Sequence, residues 1–164
     1  MNKKEFLFRS NRRKREFSSQ KEALEIVLNL HLNEKDFLEL EQSDILRNIF
    51  FDSFKKLSIK PCQIYSSLEE DKFVSYLDKL DLSFSDMHGY LILKQSEIIG
   101  LIHVSFSKII RRYKQIIEFD GDSLCFLSED RSKGVYIDFF EENQEGNTSW
   151  YYEVCTWNLG NISH

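Results

Sequence analysis

"GVYIDFFEE" (Gly134–Glu142) and "WYYEVCTW" (Trp150–Trp157) flank the connection "NQEGNTS" (Asn143–Ser149). Aromatic and β-branched residues alternate with other types on both sides of a polar linker, which reads as two strands of a hairpin. Side chains on a strand alternate between faces. Val135, Ile137 and Phe139 therefore share one face, and Tyr136, Asp138 and Phe140 share the other. In the second strand, Trp150, Tyr152, Val154 and Thr156 oppose Tyr151, Glu153, Cys155 and Trp157. One face of each strand suits a core. The other mixes aromatics with acids, and it lies either beneath a helix of the same chain or against another protein.

Working upstream, "SLCFLS" (Ser123–Ser128) reads as a strand, with "EDRSKG" (Glu129–Gly134) as the turn into the hairpin and "FDGD" (Phe119–Asp122) as the turn before it. "YLILK" (Tyr90–Lys94) and "IIGLIHVSFS" (Ile98–Ser107) have the same period of two and are joined through Gln95-Ser96-Glu97. Between them and the last three strands, residues 108–118 are ambiguous. Ile109, Ile110, Tyr113, Ile116 and Ile117 fit a helical stripe, so a short helix is favoured over a strand.

The first half of the chain carries helical periodicity. Ser19-Gln20-Lys21-Glu22 is a capping box ahead of Leu24, Val27 and Leu28. Asn33 with Asp36 can cap a second helix with a broad face from Phe37 to Leu57, bent or broken at Ser43. Lys60-Pro61 closes that helix, because the residue before proline disfavours α geometry. "CQIY" (Cys62–Tyr65) can form a small strand. Ser67-Leu68-Glu69-Glu70 caps a third helix with Phe73, Leu77 and Leu80 on one face. The predicted plan is α+β: N-terminal helices packed on one face of a C-terminal, mostly antiparallel sheet of about five strands. Residues 1–17 form a basic N-terminal arm, and 18–164 form one domain.

The chain has 164 residues, 14 Phe, 6 Gly, 1 Pro and a net charge of -5. That length supports one hydrophobic core. Residues 1–21 hold eight Lys/Arg and two acids, a charge of +6, so the remainder carries -11. From Gln115 onward there are two basic and ten acidic residues. Such a surface repels nucleic acid and attracts a basic protein. The N-terminal "MNKKEFLFRSNRRKREF" lacks the apolar stretch of a signal peptide. No run approaches the roughly 18 apolar residues of a membrane span. Cys62, Cys125 and Cys155, odd in number and widely spaced, predict a reducing compartment and no disulfide framework. The expected location is cytoplasmic.

Signatures of chemistry are few. There is no phosphate-binding glycine loop and no H-E-x-x-H. His31, His88, His103 and His164 lack metal-ligand spacing, and His103 reads as a packed strand residue. Cys125 and Cys155 read as small buried hydrophobes. Ser105-Phe106-Ser107-Lys108 matches S-x-x-K without the rest of that signature. The acid pairs Asp120/Asp122, Glu129/Asp130 and Glu141/Glu142 fall in or beside turns, where solvation explains them. No catalytic residue, metal ligand or cofactor is assigned.

The size, acidity and α+β plan, with the late pattern Phe119–Trp157, resemble bacterial toxin-immunity proteins, including those of contact-dependent growth inhibition systems. The resemblance covers about a quarter of the chain and transfers no functional residue. It implies a non-enzymatic inhibitor that binds a cognate toxin domain. A nuclease, whose substrate channel is positive by necessity, would suit an acidic inhibitor that masks a basic surface. The candidate partner-binding residues are Tyr136, Asp138, Phe140, Glu141, Glu142, Glu145 and Glu153. The alternative is a nucleic-acid-associated regulatory protein using Arg12, Arg13, Lys14 and Arg15 as anion contacts.

Overall fold

The computed structural model describes residues 3–56, 62–121, 123–144 and 147–157. Six strands form one sheet: β1 (Gln63–Ser66), β2 (His88–Ile92), β3 (Ile102–Ser105), β4 (Ser123–Ser128), β5 (Gly134–Gln144) and β6 (Asn147–Trp157). Their order is β1-β6-β5-β4-β2-β3, and every pairing is antiparallel. The α+β plan, with helices first and an antiparallel sheet following, is as expected. The sixth strand is β1, the short "CQIY" segment, which leaves the helical half to pair with β6 at the sheet edge.

The helices are α1 (Lys3–Leu28), α2 (Leu40–Lys56), α3 (Glu70–Ser83), α4 (Ser96–Ile99), α5 (Phe106–Ile110) and α6 (Tyr113–Asp120). Helix α1 starts at Lys3 and runs through the expected capping box, so the basic segment is the front half of a helix. Residues 3–28 contain no Gly or Pro and many good helix formers, so nothing stops propagation. Ser19 Oγ donates back to the Glu16 carbonyl at 3.0 Å instead of capping a helix start. The helix ends at Asn29, whose φ of 52° is the left-handed geometry of a C-terminal cap. Phe17 meets Phe37 edge to face at 4.9 Å, and Arg9 grips Asp44 of α2 with two bonds of 2.7 and 2.9 Å. The front half of α1 is thereby held to the body.

Three other expectations change in detail. Asn33 N–H donates to the Asp36 carboxylate at 2.7 Å, but this box closes only a 3-10 turn, Glu34–Asp36, and α2 begins at Leu40. Ser43 does not break the helix. It is buried, and its Oγ accepts from Leu101 N–H at 2.9 Å, tying α2 to the start of β3. Residues before Leu101 form α4 and not strand. Gly100 turns the chain at φ 92°, where a Cβ would lie 2.0 Å from the Leu38 carbonyl oxygen. The ambiguous segment is helical, split into α5 and α6 at Arg111-Arg112. Leu57, Lys60, Pro61, Asp122, Glu145 and His164 lie outside the described residues.

Helices flank both faces of the sheet, not one. On the first face, Leu91, Phe126, Ile137 and Val154 join Leu24 and Leu28 of α1, Phe73 of α3 and Ile109 of α5 in the larger core. On the second, Leu46 and Phe50 of α2 pack on Ile92, Cys125, Leu127 and Trp157, with Phe54 and Tyr136 at the margin. Helix α2 is apolar enough to cover sheet, and its side was not encoded in local periodicity.

Strands β5 and β6 outrun their neighbours. Strand β4 pairs with β5 only as far as Asp138, and β1 pairs with β6 only between Tyr151 and Val154. Among the described residues, Glu141–Gln144 and Asn147–Trp150 therefore continue as a two-stranded ribbon beyond the sheet, while Phe139 and Phe140 still lie beside the β1–β6 pair.

Candidate partner-binding face

Among the described residues, α2 covers the second sheet face near Trp157 and Tyr136 and no further along β5 and β6. Tyr136 marks the boundary. Its ring lies 4.5 Å from Phe54 of α2, and its hydroxyl donates to the Asp138 carboxylate. Burial first, and then Asp138, pushes the phenol's pKa up. Tyr136 thus lies beneath the chain's own helix.

Beyond it the face carries half-buried side chains. Asp138 stands directly across from Glu153 in the ladder, with Ser123 on its other flank. Burial, and then the Asp138 charge, pushes the Glu153 carboxyl above its usual range. One register step further, Phe140 faces Tyr151, their rings stacked at 5.7 Å and 25°. Ile64 of β1 pairs with Glu153 and is 58% exposed. Aromatic, aliphatic and acidic side chains thus alternate across three strands on one surface.

The expected set divides on this geometry. Asp138, Phe140 and Glu153 come together, with Glu142 exposed further along the same face. Glu141 points the other way, opposite Trp150, which is 40% exposed and stacks on Phe139 at 5.0 Å. Glu145 is outside the described residues. Tyr151 and Ile64 complete the surface without having been selected. Tyr151 was legible from strand parity, whereas Ile64 required the pairing of β1 with β6.

The four anion-contact candidates sit on α1. Arg12 bonds Glu16 at 2.9 Å, and Arg13 bonds Glu39 at 3.2 Å and the Leu38 carbonyl at 3.4 Å. Lys14 and Arg15 are exposed. Half of the basic cluster is thus neutralised within the molecule.

The turn acids have structural tasks. Asp130 accepts from Ser128 Oγ at 2.5 Å, Ser132 Oγ at 2.7 Å and Ser132 N–H at 3.0 Å, which orders the β4–β5 turn. Those hydrogen bonds hold its carboxyl at about 2. Asp120 is buried and accepts from Lys94 N–H at 2.6 Å; burial pushes its carboxyl up. His103 packs between Tyr90 and His88, with Nε2 3.5 Å from Glu129.

The cysteines correct an expectation. Cys125 is a buried free thiol whose pKa burial pushes up. Cys62 and Cys155 form a disulfide across β1 and β6, 93 residues apart, with Cα atoms 4.5 Å apart. That spacing belongs to directly opposed residues that do not exchange backbone hydrogen bonds, where side chains approach closest. The odd count and wide spacing concealed the pair because only the β1–β6 pairing joins them. A Glu153 carboxylate oxygen and the two sulfurs lie within 4.8 Å of one another.

Among the described residues, no helix is long and apolar enough to cross a membrane. No family model matches this sequence, and no curated protein or solved structure is significantly similar to it.

Proposed function

We propose that this chain is a non-enzymatic inhibitor that binds a basic protein partner, acting as an immunity protein against a cognate bacterial toxin domain. The observation that carries the reading is the stacked Phe140–Tyr151 pair beside Asp138 and Glu153, on sheet surface beyond the cover of α2. Aromatic side chains supply much of the energy at protein interfaces, and flanking charges steer encounter. Glu142 on the ribbon extends the acidic margin, with Glu141 on its reverse side. A nuclease is the favoured partner class, because a phosphate-binding channel must be positive. The inhibitor would act in the cytoplasm by covering that channel.

The test expresses the proteins encoded beside this chain and mixes the purified full chain with any basic C-terminal domain of a secreted protein found among them. The expected result is a one-to-one complex that blocks the toxin domain's activity and associates more slowly as salt rises. Reversing charge at Glu141, Glu142 and Glu145 should slow association without unfolding the protein. An association rate insensitive to both salt and charge reversal would place the interface elsewhere. Tight binding to generic DNA or RNA, abolished by neutralising Lys14 and Arg15, would favour the nucleic-acid alternative.

A further inference from the structure

We propose that Cys62, Cys155 and Glu153 form a zinc site once the disulfide is reduced. Cys62 lies directly across from Cys155, one step beyond the Gln63–Val154 pair. Glu153 precedes Cys155 by two residues, so strand parity puts it on the same face. The three donor atoms already lie within 4.8 Å of one another. Zinc binds thiolate at about 2.3 Å and carboxylate at about 2.0–2.2 Å, so after reduction the two sulfurs, bonded in the disulfide, must part by side-chain rotation to flank one ion, while Glu153 already lies within reach of both. Two soft sulfurs with one carboxylate favour zinc over magnesium or calcium, which prefer all-oxygen cages.

A second feature points to a cation at this place. Asp138 is paired with Glu153 in the β5–β6 register, on the same face. Like charges directly opposed on a sheet disfavour each other. A divalent cation on Glu153 relieves that opposition, and Asp138, held by the Tyr136 hydroxyl, adds negative charge beside it.

The chemistry balances with a dithiol reductant. It supplies two electrons and two protons, the Cys62–Cys155 S–S bond breaks, two thiols form, and the reductant leaves as its own disulfide. Zinc then displaces both thiol protons to solvent and accepts an oxygen lone pair from Glu153. Its fourth position is open to water. The edge strand β1 is thus fastened to β6 in either state, by a covalent bond under oxidising conditions and by metal under reducing ones. This inference does not rest on the proposed inhibitor role.

The test uses the full chain, reduced with dithiothreitol, freed of reductant under anaerobic conditions and titrated with cobalt(II) and then zinc. The reduced chain should take up one cobalt per molecule with thiolate-to-metal charge-transfer absorption, which zinc then bleaches. The oxidised chain should take up none. Cys62→Ser should weaken binding by at least about tenfold and diminish that absorption, whereas Glu153→Gln should weaken binding by about tenfold and preserve it. Circular dichroism establishes that each variant is folded, and the oxidised-versus-reduced comparison needs no variant. Equal uptake by the reduced and oxidised chains overturns the proposal. So does cobalt binding without charge transfer, or binding unchanged in both variants.

Discussion

The same two strands carry two different surfaces. On the first face of β5 and β6, aromatics continue the core: Tyr152 stacks on Phe73 of α3 at 4.2 Å, Phe139 lies 4.8 Å from Tyr152, and Trp150 follows at 5.0 Å. On the second, Trp157 and Tyr136 meet α2, after which Asp138, Glu153, Phe140 and Tyr151 extend past the described part of that helix. Aromatic content barely differs between the faces, whereas the second also carries Asp138, Glu142 and Glu153. What separates them is the packing partner. Aromatic content by itself therefore says little about function in this hairpin, whereas aromatics interleaved with opposed carboxylates mark the surface that lies past the described part of α2.

The sharpest way to break the comparison is Phe73→Ala. Phe73 is fully buried between Tyr65, Tyr113 and Tyr152, so its loss should cost about 3–5 kcal/mol by urea unfolding. A cost near zero would mean that the first face is not core. Gly134→Ala comes next, at about 1–3 kcal/mol. A Cβ there would fall 1.8 Å from the Trp157 ring, so either the indole or β5 must move. Phe140→Ala should cost no more than about 1 kcal/mol, because it removes one cross-strand pair on a half-exposed face. If that face binds a partner, the same change should speed dissociation of the complex while leaving the unfolding midpoint nearly in place. A loss as large as that of Phe73→Ala would show the two faces to be equivalent.

The smallest effect concerns pH. The Glu153 carboxyl is raised in the folded state, so folding favours its protonated form. Its contribution is complete below the unfolded pKa and is lost as pH rises through the folded one. Glu153→Gln should therefore raise the Tm slightly at neutral pH in the oxidised protein, with the gain shrinking toward acid conditions. A Tm lowered at neutral pH would mean that the charged carboxylate is held by a favourable partner. Asp130 provides the opposite sign. Its carboxyl is depressed, so the stability that it contributes is present above the ordinary carboxylate range and is lost as pH falls toward about 2.

Strand parity was readable because the period of two is local. Val135, Ile137, Tyr152 and Val154 enter the core as their alternation predicts, and Asp138, Phe140, Tyr151 and Glu153 share the other face. Helical stripes were readable for the same reason, as Leu24, Phe73, Leu77 and Leu80 show by their burial. Helix starts were less so. The Ser19 box is overridden by continuous helix propensity from Lys3, and Ser96–Ile99 forms a helix that ends at Gly100, where the chain passes close to the Leu38 carbonyl. The candidate face was half legible. Parity grouped Asp138 with Phe140 and Tyr151 with Glu153, but neither the exposure of Ile64 nor the retreat of Tyr136 beneath Phe54 follows from spacing.

The sequence by itself determined the α+β class, the hairpin, the alternation of side chains along β5 and β6, and the separation of a basic N-terminal segment from an acidic C-terminal half. All of these depend on neighbours within a few positions. The tertiary structure alone decided that α2 crosses to the second face, that β1 closes the sheet beside β6, and that Cys62 meets Cys155 across 93 residues. Those outcomes depend on which apolar surface finds which partner when the chain collapses. That choice is made by summed packing over distant segments, and no local period records it.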